Sequence, residues 1–282
     1  MKTSVGKGLL LFMVVLPSLI LLAGDSRKSF LPGELWPDNN GVHINAHGGG
    51  ILLHGGVYYW FGEHKIEGEA GNRAQVGVHV YSSRDLYGWK DEGVALAVSE
   101  DPASDITRGS IIERPKVIYC RKTGQFVMWF HLELKGQGYR AARSGVAVSD
   151  RPTGPYGFVS SFRPNSGVWP ENLPLESRKL LTPEEREAIR KLNLQGGPVP
   201  GYPEELVCRR DFEGGQMARD MTLYVDDDGK AWHIYASEEN GTLQISQLSD
   251  DYLRPAGLLF RAFPGGFNEA PAVFKHQGKY YL

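Results

Sequence analysis

The 282-residue sequence predicts an all-β fold of the β-propeller class, and three observations carry that expectation. A turn glycine followed by alternating apolar and aromatic residues occurs four times along the chain. A strand-like run precedes each occurrence, so each reads as a β-hairpin with period-two alternation on both arms. After the first three hairpins a further apolar run follows, closing on Ser or Asp before the chain turns outward. Short antiparallel strands repeated in this order are the pattern of propeller blades. A β-sandwich also spaces short strands regularly, but here the copies resemble one another in order as well as in hydrophobicity.

The first unit is GGGILLH with GGVYYWFGE (Gly48 to Glu63), followed by VGVHVYSS. The second is RPKVIYC with TGQFVMWFHLE (Arg114 to Glu133), followed by SGVAVSD. The third is DMTLYVD with DDGKAWHIYASE (Asp220 to Glu238), followed by TLQISQLSD. The fourth is APAVFKH with QGKYYL (Ala270 to Leu282). Trp60, Trp129 and Trp232 fall inside the hairpins and read as core. The excess length lies between about 160 and 215. Within it, LTPEEREAIRKLN predicts a short helix: Thr182 as N-cap, Pro183 at the first helical position and Glu185 completing a capping box. GGPVPGYPEEL after it reads as irregular. Such an insertion either walls a binding site or decorates the surface.

Residues 1–24 read as a secretory signal: Lys2 and Lys7, the apolar run Gly8 to Leu22, then Ala23-Gly24 before polar sequence. A single membrane anchor is the alternative, which Pro17 and the borderline length disfavour. Export to the medium, periplasm or cell surface is the expectation, with no stable membrane partner after cleavage. A net charge of -2 offers no basic surface for nucleic acid or anionic lipid. The 35 glycines and 11% aromatic content suit a turn-rich β protein with a ring-lined surface. Cys120 and Cys208 allow one bridge or two buried thiols, and no Cys/His spacing reads as structural zinc. No cofactor is expected. Asp226, Asp227 and Asp228 read as a hairpin turn in preference to a calcium site.

The first strand of each blade lines the central channel, so residues at its start converge near the axis. Glu113, Asp220 and Glu269 occupy that place in the second, third and fourth units. Cleaving a glycosidic bond with inversion needs one carboxylic acid to protonate the leaving oxygen and a second group to activate water on the opposite face. Arg114 and Arg219 flank two of the acids, either orienting a carboxylate, binding substrate hydroxyls, or forming structural ion pairs. His47 is a candidate substrate contact, with a base or a core histidine as alternatives. Glu63 and Glu239, near strand ends, are candidate contacts to sugar hydroxyls or solvated turn acids.

DMTLYVDDDGKAWHIYAS followed by EAPAVFKHQGKYYL resembles glycoside hydrolase family 43, the inverting, five-bladed propeller glycosidases. The resemblance runs from about Trp36 to Leu282. It implies that Glu269 is the general acid and that Asp220 tunes and orients it. The family's usual base, an Asp before Pro on the first inner strand, has His47-Gly48 in its place here. That departure, with the ERPK of Glu113 to Lys116, is similar to the subgroup of exo-β-1,3-galactanases and β-galactosidases. The subgroup implies Glu113 as an active-site carboxylate and a fifth-blade Gln as the group handling water. On this reading about three and a half blades are present and the chain is C-terminally incomplete. The implied substrate is a β-galactan polysaccharide or oligosaccharide. An α-L-arabinofuranosidase or β-xylosidase of the same fold, and a non-catalytic carbohydrate-binding propeller, are the alternatives.

Overall fold

The structure is a computed structural model that describes residues 29–191, 201 and 203–282. The segment 1–24 that reads as a secretory signal lies outside the described residues. Among them, no helix is long and apolar enough to cross a membrane.

Antiparallel strands dominate, as expected, in three four-stranded sheets and one hairpin. The first sheet is β1 (His47–His54), β2 (Val57–Glu63), β3 (Gly77–Ser83) and β4 (Lys90–Ala97). The second is β5 (Ile111–Cys120), β6 (Gln125–Glu133), β7 (Arg143–Ser149) and β8 (Gly157–Phe162). The third is β9 (Met221–Val225), β10 (Ala231–Ser237), β11 (Thr242–Leu248) and β12 (Pro255–Ala262). β13 (Phe274–His276) pairs with β14 (Lys279–Tyr281). Every sheet is a meander in chain order. The fourth strands, which the repeats left unmarked, pair on the outer side of each third strand.

The hairpin turns form where the glycines predict them. Gly55 and Gly56 both take positive φ (57° and 75°), the geometry that matches the strands' twist in a two-residue turn. β13 starts four residues later than the run APAVFKH suggests. Ala270 sits at φ 48° and Pro271 has no N–H to give, so the ladder begins only at Phe274.

The sheets pack face to face, and β6 shows how. Its residues are buried on both faces. Met128 and Phe130 join Phe61, Val78 and Val80 of the first sheet, whereas Val127 and Trp129 join Met221 and Tyr235 of the third. The Trp129 indole N–H donates to the Tyr252 carbonyl at 2.8 Å. A satellite cluster sets Trp36, Trp60 and Trp89 edge to face or tilted at 5.2–6.4 Å. The first strands β1, β5 and β9 stand side by side, so their opening residues fall near one another.

Between β8 and β9 the chain carries α1 (Pro183–Lys191) and α2 (Leu206–Arg210). The predicted capping box is present: the Glu185 N–H donates to Thr182 Oγ1 at 3.2 Å and the Thr182 N–H to Glu185 Oε2 at 2.8 Å. α2 falls at the end of a stretch that reads as irregular. The Arg209 side chain, wholly buried, is held by the Glu185 carboxylate at 2.7 and 3.0 Å and by the Lys179 carbonyl. Cys120 and Cys208 are both free and buried. The Asp226–Asp228 turn is engaged by Lys275, whose Nζ lies 2.9 Å from Asp226 and 2.7 Å from Asp227, tying β13 to the third sheet.

Candidate active site

Two β-bulges shape the site. In β5 the register slips between Glu113 and Lys116, where Arg114 takes φ 55° and Pro115 contributes no donor. In β1 it slips between His47 and Gly50. A bulge leaves one residue unpaired and re-aims its neighbours. The first slip sets Glu113 opposite His131, and the second sets His47 opposite Glu63.

Glu113 is nearly buried. Its Oε1 accepts from the Tyr139 hydroxyl at 2.8 Å, and its Oε2 lies 3.1 Å from His131 Nδ1. Burial raises a carboxyl pKa, but the imidazole and the phenol prevail and hold this one below its usual value. Asp220, just ahead of β9, pairs through Oδ2 with the Arg114 guanidinium at 2.8 Å. The same oxygen accepts the Ala270 N–H at 3.0 Å, which seats Glu269 beside it. One donor atom each from Glu113, His131 and Asp220 lie within 4.8 Å of one another. That spacing is short enough for a cation, yet the Arg114 guanidinium already supplies positive charge to Asp220. The group is therefore better built for a hydroxyl-rich ligand than for a metal.

Glu269 is exposed, and Asn240 Nδ2 donates to its Oε1 at 3.1 Å. Asn240 closes a run of three left-handed residues, Glu238 (φ 53°), Glu239 (φ 56°) and Asn240 (φ 66°). Backbone held so far from its preferred regions gathers at functional sites. Buried Glu238 anchors the run, receiving Arg261 Nε and Nη2 at 2.7 Å each.

The other expected contacts are placed as follows. The Glu63 side chain is only 3% exposed, with the Arg114 N–H at 3.0 Å on Oε1, and Lys65 at 2.7 Å and His47 at 3.1 Å on Oε2. Glu239 is engaged on both oxygens, by Arg210 and Arg219 at 3.0 Å each. Arg219 also donates to the Tyr139 carbonyl at 2.9 Å. Both glutamates are thus held by protein partners, and the most open of the expected site residues are His47 (58% exposed), Arg114 and Glu269. Lys116 Nζ crosses from β5 to the Gly48 carbonyl at 3.1 Å, and burial, then Arg114, pushes its pKa down to about 8. A cavity of about 1010 Å³ follows the middle and turn ends of β1, β5 and β9, with Lys116 on its wall. The carboxylates stand at the opposite, opening ends of those strands.

Sequence reasoning passed over His131, Tyr139, Asn240 and Lys65. Only His131 left a trace: it is the first charged or titratable residue to interrupt the apolar run of β6.

An antiparallel all-β scaffold that draws two carboxylates, an imidazole and a guanidinium together, with a third carboxylate alongside, supplies the carboxyl groups that glycoside hydrolysis uses. No family model and no curated protein matches the chain. Solved structures do. A GH43 β-1,3-galactosidase solved with galactodeoxynojirimycin is 54% identical, with 88% of this chain and 70% of that one covered and a TM-score of 0.79. An exo-β-1,3-galactanase from Clostridium thermocellum is 34% identical (88% and 44% covered, TM-score 0.66). One from Phanerochaete chrysosporium, solved with galactose, is 30% identical (88% and 45% covered, TM-score 0.64). The chain thus spans 70% of the first relative's length and less than half of the other two's. It belongs to glycoside hydrolase family 43.

Proposed function

We propose that the protein is an exported, inverting exo-glycosidase that releases galactose from β-1,3-galactan or arabinogalactan side chains. The observation that carries this reading is the meeting of Glu113 and Asp220 within 4.8 Å, with Glu269 tied to Asp220 through the Ala270 N–H. The 54% identity to a β-1,3-galactosidase supports the choice of sugar. So does a Phanerochaete chrysosporium relative solved with β-1,3-galactotriose.

In this mechanism Glu269 protonates the leaving oxygen. It is the most exposed of the three acids, and Asn240 orients it. Asp220, paired with Arg114, holds the acid's backbone in register. Glu113, kept ionised, accepts a sugar hydroxyl and offers negative charge to the oxocarbenium-like transition state. His47 and Arg114 line the approach. The three sheets and the hairpin are read as blades of a five-bladed propeller, in keeping with inner strands that stand side by side.

The test is galactose release from β-1,3-galactan by the full-length protein and its Glu269→Gln variant. A loss of about 10²-fold or more in the variant, with binding retained, is expected of a missing general acid. Arabinose or xylose released from chromogenic glycosides would move the substrate to the arabinofuranosidase or β-xylosidase reading. Binding without hydrolysis in both forms would favour a carbohydrate-binding module, a reading encouraged by His47 standing where the family places its Asp.

A further inference from the structure

Beneath the site carboxylates lies a titratable group buried deeper than any of them. The His131 side chain is 1% exposed and sits between two glutamates. Its Nε2 lies 2.9 Å from Glu133 Oε1. Its Nδ1 lies 3.1 Å from Glu113 Oε2, in ion-pair range though angled away from a straight hydrogen bond. Glu133, wholly buried, uses its second oxygen to accept the Ala142 N–H at 2.9 Å, which anchors the array to the start of β7.

We propose that His131, held between Glu113 and Glu133, is a positioning residue of this site: it presents Glu113 to the substrate as an ionised carboxylate in one fixed orientation. The proposal rests on the glycosidase reading given above.

The physical reason is the imidazole's two nitrogens. A neutral ring carries one N–H and one lone pair, so one of the two carboxylates would face a lone pair at about 3 Å, repulsive and buried. With both carboxylates ionised, only the imidazolium satisfies both sides. Its charge in turn holds Glu113 ionised. Without it, burial and Asp220 within 4.8 Å would both favour the protonated acid. A protonated Glu113 would donate a hydrogen bond where the sugar hydroxyl needs an acceptor. The remaining charged and titratable groups nearby are Arg114 from β5, Tyr139 from the loop after β6, Asp220 ahead of β9 and Lys65 after β2. Burial alone would lower the His131 pKa, but Glu113 and Glu133 reverse this and raise it above 6.5. The cation is thus fully present below the ordinary histidine value and is lost as pH rises through the elevated one.

The experiment uses the full-length protein, His131→Asn and Glu133→Gln. It records kcat and KM against pH on β-1,3-galactan, with the imidazole NMR titration of His131 in wild type and Glu133→Gln. For His131→Asn, a fall in kcat of about ten- to a hundredfold is expected, the effect of one lost close charged contact to Glu113. Its acid limb should move to higher pH as Glu113 protonates more readily. In Glu133→Gln the imidazole should titrate at lower pH, and the alkaline limb should follow. Unchanged kcat and pH profile in His131→Asn would overturn the proposal. If that variant does not fold, Glu133→Gln decides by the same two shifts, and their absence overturns it. If wild type releases no galactose, the galactanase reading fails separately. The titration still decides the array, and a ring found neutral at pH 7 overturns it.

Discussion

Gly48→Ala should lower both stability and turnover. Gly48 has φ 60°, and a Cβ there would lie 2.4 Å from Glu63 Oε1 and 3.1 Å from Arg114 Cδ. A carboxylate tip would ordinarily swing aside at little cost. Glu63 cannot, because its oxygens are held by the Arg114 N–H, Lys65 and His47 in a nearly closed environment. The left-handed backbone costs about 1–2 kcal/mol with a Cβ present, and forcing a methyl into a packed site costs about 1–3 kcal/mol. The sum is about 2–5 kcal/mol, which for a domain of this size lowers Tm by about 2–4 °C per kcal/mol. Gly55→Ala is the internal control: φ is 57° there too, but nothing lies within 4 Å of the added methyl. It should lose only the backbone part, about 1–2 kcal/mol. Urea denaturation of both variants measures the difference, and galactose release should fall in Gly48→Ala alone, since Arg114 holds Asp220. Equal destabilisation by the two substitutions would refute the reasoning, because the Glu63 contact would then carry no energy.

Trp129→Ala removes the largest fully buried side chain, with its hydrogen bond to the Tyr252 carbonyl, and should cost about 3–5 kcal/mol in a urea titration. Glu185→Ala breaks the capping box and leaves the buried Arg209 guanidinium without its carboxylate, at about 3 kcal/mol. Limited proteolysis should then open α1 and α2 before any sheet. Lys116 has a folded pKa of about 8 against an ordinary 10.5, so between those values the unfolded chain binds the additional proton. Its contribution to stability therefore rises with pH across that window. Unfolding free energies of wild type and Lys116→Met should diverge by this rise, and parallel curves would contradict it.

Local chemistry, written in short stretches, was legible without coordinates. Turn glycines placed the hairpins, alternation placed the strands around them, and Thr182-Pro183-Glu184-Glu185 placed the start of α1. The acids at the strand openings were legible as well, and Glu113 and Asp220 do meet. What opposes what was not. Counting back from the Cys120–Gln125 pair at the β5–β6 turn sets Glu113 across from Leu132, and counting back from the His54–Val57 pair sets His47 across from His64. The two bulges each absorb one residue, so the true partners are His131 and Glu63. A side-chain period of two means that one slipped residue exchanges every contact beyond it.

The sequence by itself determined the inner hairpins, the strands that follow them and the residue types at each inner-strand opening, because those follow from backbone preferences acting over a few residues. Tertiary structure alone decided that Glu113 shares a buried imidazole with Glu133, that Arg114 spans to Asp220, and that Glu63 and Glu239 are engaged by protein partners. Apart from His131 and Glu133, near neighbours on one strand, these pairings join residues from 18 (Glu113 and His131) to 106 (Arg114 and Asp220) positions apart. They depend on where the sheets pack and where the ladders slip, which no local preference encodes.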